Sequence, residues 1–132
     1  MISSLPEEKG TFAYGDGKWT IKEVLSHLID AERMFAYRML RISRGDKTPI
    51  EGFEQDGYIE NSNANNRSFA ALLDEFNLQR RSNMLLINNL SDEAARRAGT
   101  ANERSITSRA IIYIMAGHVK HHIGILKERY LV

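Results

Sequence analysis

Cysteine is absent from the chain. That removes disulfides, thiolate metal sites and a cysteine nucleophile together. Only two prolines, Pro6 and Pro49, are present, so little stands in the way of long helices. No apolar run approaches the roughly 20 residues that cross a bilayer. The segment Met1–Lys9 lacks the basic and apolar regions of a signal peptide, so the expectation is a cytoplasmic protein with no membrane partner. An excess of either charge is also missing. Eighteen basic and 17 acidic residues leave a formal charge of +1, which gives no electrostatic basis for nucleic acid as a partner.

What is present reads as one all-α domain over residues 1–132, long enough to bury a core. A short helical piece is expected around Leu5 to Lys9. Thr20 followed by Glu23 has the capping-box spacing, with Trp19 placed to staple onto Val24. The helix they start runs to about Arg44. Its buried stripe is Ile21, Val24, Leu25, Leu28, Phe35, Met39 and Ile42, with His27 at the margin beside Ala31, Met34 and Arg38. Residues 45–62 form a long connection carrying Phe53 and Tyr58. It is either a binding loop or a crossover that spans the bundle. A second long helix is expected from about Ala64 to Asn89. Arg80, Arg81 and Asn83 interrupt its stripe, and both arginines are assigned to the solvated face, from which one could reach an acidic ligand. Ser91-Asp92-Glu93 starts one more helical turn. Gly99 ends it, residues 99–106 form a loop, and a last helix runs from Ser105 or Thr107 to about Arg129.

That last helix holds three of the four histidines, His118, His121 and His122. At about 100° per residue, His118 and His122 stack on the apolar face with Ile111, Met115 and Ile125, while His121 falls about 60° to one side. Two histidines four apart on a helix can share one metal ion. The plain alternative is a pair of core-edge histidines hydrogen-bonded to neighbours. His27 lies near the start of its helix and the other two in the second half of theirs. If the two helices are antiparallel, the three imidazoles meet at one height, as metal sites in helix bundles do. Three neutral imidazoles with open positions match a catalytic type of site, and imidazole favours the later divalent metals, zinc or nickel first.

Two stretches resemble the DinB family of metal-binding proteins: Gly17-Lys18-Trp19-Thr20-Ile21-Lys22-Glu23-Val24-Leu25-Ser26-His27 and Ala116-Gly117-His118-Val119-Lys120-His121-His122. Arg44-Gly45-Asp46-Lys47-Thr48-Pro49 with Gly52-Phe53 resembles one branch of it. The resemblance implies an up-down-down-up four-helix bundle and a three-histidine metal site made of His27, His118 and His122, with His121 not a ligand. It also implies reactions that use a low-molecular-weight thiol, and homodimers. Only 18 residues precede Trp19 and few are apolar, so the first helix is expected to be short or missing, with a partner chain covering the exposed stripes.

No glutamate sits between His118 and His122, so a general base must come from elsewhere. Asp30, Asp56 and Glu23 are candidates, with Asp46 and Glu54 as further loop carboxylates. With no cysteine, any thiol nucleophile must be a bound cofactor. Three readings follow. The first is a metal-dependent transferase or hydrolase acting on a small molecule through a pocket past Phe53 and Tyr58. The second is a metal-binding stress-response or interaction protein without catalysis, and the third a bundle with structural histidines.

Overall fold

The computed structural model describes residues 1–132. Three long helices form the molecule: α1 (Ile21–Ser43), α3 (Phe69–Asn88) and α5 (Ser108–Ile125), the last extended by a wider π-type turn at Leu126–Tyr130. Two short helices, α2 (Gln55–Glu60) and α4 (Asp92–Arg96), lie in the connections. Ahead of α1 there are only two 3₁₀ turns, Ile2–Ser4 and Glu7–Thr11, in place of the single short piece expected at Leu5 to Lys9.

α1 begins where its sequence dictates. Thr20 Oγ1 accepts from the Glu23 amide at 3.1 Å, and the Glu23 carboxylate accepts from the Thr20 amide at 2.8 Å. Asn65 then donates to the other Glu23 oxygen at 3.1 Å, which ties the end of the crossover to the start of α1.

Pairings along the helices fix their directions. Asn65 meets Glu23, Glu75 meets Arg33 and Arg80 meets Glu32, so α3 runs parallel to α1. Tyr130 Oη donates to the Trp19 carbonyl at 2.7 Å and His118 meets His27, so α5 runs antiparallel to both. Parallel neighbours explain the long connection after α1: the chain must return to the starting end before α3 can begin. The crossover reading of that segment therefore holds. The segment is not wholly irregular, because the Glu54 carboxylate caps α2 at the Asp56 amide and Ile59 is buried.

Three boundaries differ from those expected. The second long helix starts at Phe69 rather than Ala64, because Arg67 is extended and Ser68 caps the Ala71 amide. The segment expected as a loop is a β-hairpin, β1 (Ala98–Ala101) with β2 (Arg104–Thr107), turning through Asn102 and Glu103 at positive φ. The fold is therefore mostly helical with one two-stranded sheet. Gly99 does more than break a helix: a Cβ there would lie 2.7 Å from Ile42 Cγ1, so the hairpin packs on α1 only with glycine at that point. Finally, Thr107 caps α5, so Ser105 belongs to β2 and not to the helix.

Two apolar clusters fill the interior. One joins Ile21, Val24, Leu25 and Ile29 to Phe69, Leu72, Leu126 and Tyr130, and Ile2 from the first turn is buried in it. The other joins Met39 and Ile42 to Ile50, Ala101, Ile111 and Met115. On α5, His118 and His122 fall between the two.

Candidate metal centre

His27, His118 and His122 converge. Each offers a ring nitrogen, and these nitrogens lie within 4.8 Å of one another. The His27 and His118 Nε2 atoms are 3.0 Å apart, and the ring centroids are 4.9, 4.9 and 4.7 Å apart around the triangle. His27 is not marginal, as its place on the helical wheel suggests, but 3% exposed. Trp19 packs on its ring at 4.9 Å and Phe35 packs on His118 at 5.5 Å, so apolar walls close two sides.

These surroundings keep the imidazoles neutral. Burial first, then the neighbouring imidazoles, pulls His27 and His122 down to about 4. Burial also lowers His118, with His121 adding to the effect and Glu32 opposing it. Three neutral nitrogens gathered in a half-dry cavity are the form in which histidine binds divalent metals. At 2.0–2.1 Å bond lengths, ligand nitrogens of a tetrahedral ion stand roughly 3.3 Å apart, within the span seen here. The His27–His118 contact needs a hydrogen on one of two facing acceptor-capable nitrogens, and no other hydrogen-bond partner serves the cluster. The donor set fits a metal ion.

His121 is exposed. Its ring stands 5.3 Å from that of His122, and it lines a separate shallow groove with Lys120 and Glu128. It is not part of the triangle. Beside His122 a cleft of about 220 Å³ opens, lined by Tyr14, Lys18, Trp19, Asp56 and Tyr130 among others. A larger apolar cleft of about 340 Å³ lies between α1, α3 and α5 under Met1–Ser3, but no histidine lines it. The smaller cleft is therefore the approach to the cluster.

Among the candidate bases, Glu23 is engaged in the α1 cap and Asp46 in an ion pair with Arg41 at 2.8 Å. Glu54 caps α2. Burial raises Asp30, whose charged neighbours are Arg33 and Glu75 rather than the histidines. Asp56 alone lines the cleft with His122. Phe53 and Tyr58 stack at 5.1 Å on either side of it in the chain.

Arg80 is the main surprise. It is not on the solvated face: its Nε and Nη2 donate to the two oxygens of Glu32 at 2.7 and 3.0 Å, and Asn83 adds a third bond at 3.2 Å. Sequence reasoning misses Glu32, although it lies in the apolar stripe of α1 and the interruption at Arg80 and Asn83 lies opposite. The two breaks in two stripes are the signal that could have found it.

The sequence matches the family model of the DinB superfamily over residues 1–126. The chain belongs to the DinB superfamily. A solved structure, YfiT from Bacillus subtilis, is similar in fold, with a TM-score of 0.80 over 96% of this chain and 73% of that one, at 19% sequence identity. YfiT is described as a probable metal-dependent hydrolase with an unusual four-helix bundle topology. A search of curated proteins gives no match. This DinB protein carries two 3₁₀ turns ahead of its first long helix. None of its helices is long and apolar enough to cross a membrane.

Proposed function

We propose that this protein is a metal-dependent enzyme of the hydrolase or thiol-dependent transferase type, built on a divalent ion held by His27, His118 and His122. The observation that carries the reading is the convergence of three neutral imidazoles, with one of them, His122, opening onto a cleft. The description of YfiT as a probable metal-dependent hydrolase supports it. Zinc or nickel suits three imidazole donors best.

When bound, the ion supplies Lewis-acid polarisation and makes a coordinated nucleophile more acidic. The chain supplies the rest. His27, His118 and His122 would hold the ion, and His122 is the one of the three that lines the cleft. Phe35 covers the His118 ring, and Trp19 covers the His27 ring while lining the cleft, so both limit the water that reaches those imidazoles. Asp56 is the carboxylate in reach of a substrate in the cleft and is placed to accept a proton there. With no cysteine in the chain, the nucleophile comes from outside, as water or a small thiol.

Elemental analysis of tag-free protein purified without chelator, beside His27→Ala and His118→Ala, tests the site. About one ion per chain, lost in both variants, is the expected result. Hydrolysis and thiol-transfer assays with that ion then separate the two reaction types. A protein that holds no ion even after dialysis against zinc and nickel would not be an enzyme of this kind.

A further inference from the structure

Five arginines are partly withdrawn from solvent: Arg38, Arg41, Arg67, Arg80 and Arg97. Arg41, Arg67, Arg80 and Arg97 each have a carboxylate within 4.0 Å. Arg38 has none. Its Nε is buried without any partner, and its Nη2 has only the Glu51 carbonyl at 3.3 Å. Its guanidinium lies 5.9 Å from the centre of the Phe53 ring. Burial with no compensating charge pulls its pKa below the usual arginine range. A buried Nε–H with no acceptor, on a cation with no counter-charge, costs stability, so such a group points to a ligand that supplies both.

Position says which ligand. Arg38 lies on the same row of α1 as His27, Ala31 and Met34, about 16 Å further along the axis at 1.5 Å per residue. One stretch of the crossover covers both ends of that row. Glu51 and Phe53 lie on Arg38, Phe53 stacks on Tyr58, and Asp56 lines the cleft with His122. The stretch is held at a set height by the hairpin. The Ile50 amide donates to the Thr100 carbonyl, the Asn102 amide donates to the Ile50 carbonyl, both at 2.9 Å, and a Cβ on Gly52 would meet Asn102 Oδ1 at 2.5 Å.

We propose that Arg38 anchors an oxyanion, a carboxylate or phosphate, at the far end of a small-molecule substrate whose reacting end lies at the three histidines. The anchoring itself rests on Arg38 alone. Only the placement of the reacting end rests on the metal-site reading. Arginine suits the task because its planar fork meets a carboxylate or phosphate with two parallel hydrogen bonds, and Nε is one prong of that fork.

The test uses inorganic phosphate as the probe, at constant ionic strength against chloride, on the parent protein and on His118→Ala, Arg38→Met and Arg38→Lys. Melting temperature is read first. The parent and His118→Ala should both gain about 3–5 °C at ten times the apparent Kd. Retention of the gain in His118→Ala excludes an ion at the histidines as the phosphate's partner. Arg38→Met should melt no lower than the parent without phosphate and show no gain with it. Arg38→Lys should respond weakly. The Arg38 Nε–H resonance, assigned by its loss in Arg38→Lys, should shift with the same midpoint. A parent that responds to phosphate no more than to chloride overturns the proposal. So does a response that survives in Arg38→Met, or an Arg38→Met variant that melts well below the parent, since the arginine would then be a structural clamp on Phe53. None of these outcomes depends on whether the elemental analysis finds an ion.

Discussion

Glu32 and His27 stand five residues apart on α1. Both are almost fully buried, at 2% and 3% exposed, and both face groups from another helix. Their surroundings treat them in opposite ways. Glu32 receives three hydrogen bonds, two of them from an opposite charge. His27 meets two more histidines, with a single hydrogen-bond contact, to His118, and one ring nitrogen from each of the three within 4.8 Å of the others. A buried polar group that is fully paired holds a fold together. Several like donors gathered without partners are costly unless something else binds between them. The contrast sets a group paired within the fold beside a group whose cluster could hold a metal ion, on a single helix.

The sharpest way to break the contrast is to remove the partner of Glu32. Arg80→Met leaves a carboxylate in the interior without its counter-charge, and should cost about 3 kcal/mol of unfolding free energy in urea at pH 7. A loss below about 1 kcal/mol would show that Glu32 reaches water after all. The matching change on the other side is His118→Ala. In protein stripped of metal it should cost clearly less than Arg80→Met. It should also abolish the stabilisation by added zinc, which for the parent is about 2.7 kcal/mol at a hundred times Kd. Calorimetry with and without zinc reads both.

Acidity sharpens the comparison further. His27 and His122 bind protons near pH 4 in the fold and near 6.5 in the unfolded chain. Between those values the unfolded state holds protons that the folded state does not, so stability falls as pH drops from 6.5 towards 4. Above 6.5 the two groups contribute no slope. Metal-free protein titrated in urea should show this decline, and a His27→Leu, His122→Leu double variant should flatten it. The smallest effect is expected next door to the largest. Arg81 is exposed, so Arg81→Ala should change stability by less than about 0.5 kcal/mol, and equilibrium denaturation beside Arg80→Met shows whether adjacency or pairing matters.

Much of this site is legible in the amino-acid sequence. The Thr20–Glu23 cap determines where α1 starts, and the three- and four-residue steps bring His27 to the edge of its buried stripe, short of the full burial it has. The i, i+4 spacing puts His118 and His122 on one face and His121 off it. What stays hidden is whatever depends on a distant partner. Arg80 reads as solvated because a lone arginine almost always is, and only Glu32, 48 residues earlier, makes it otherwise. The hairpin at 98–107 escapes notice because four-residue strands are too short for a period-two pattern, and Asn102-Glu103 is not the glycine-containing pair that marks a tight turn. Ser68 competes with Ala64 as the start of α3, and only the capping bond to Ala71 decides between them.

The spacing of the three histidines along the chain has one more consequence. His27 and His118 are 91 residues apart, so an ion bound to both closes most of the polypeptide into a loop. A cross-link of that span removes freedom from the unfolded chain worth on the order of 4–5 kcal/mol when it is a disulfide. In a protein without cysteine, coordination can take over that stapling role. Such a staple would ignore reducing agents and open instead to chelators and acid. The persistence of the protein in a cell would then follow the supply of its metal.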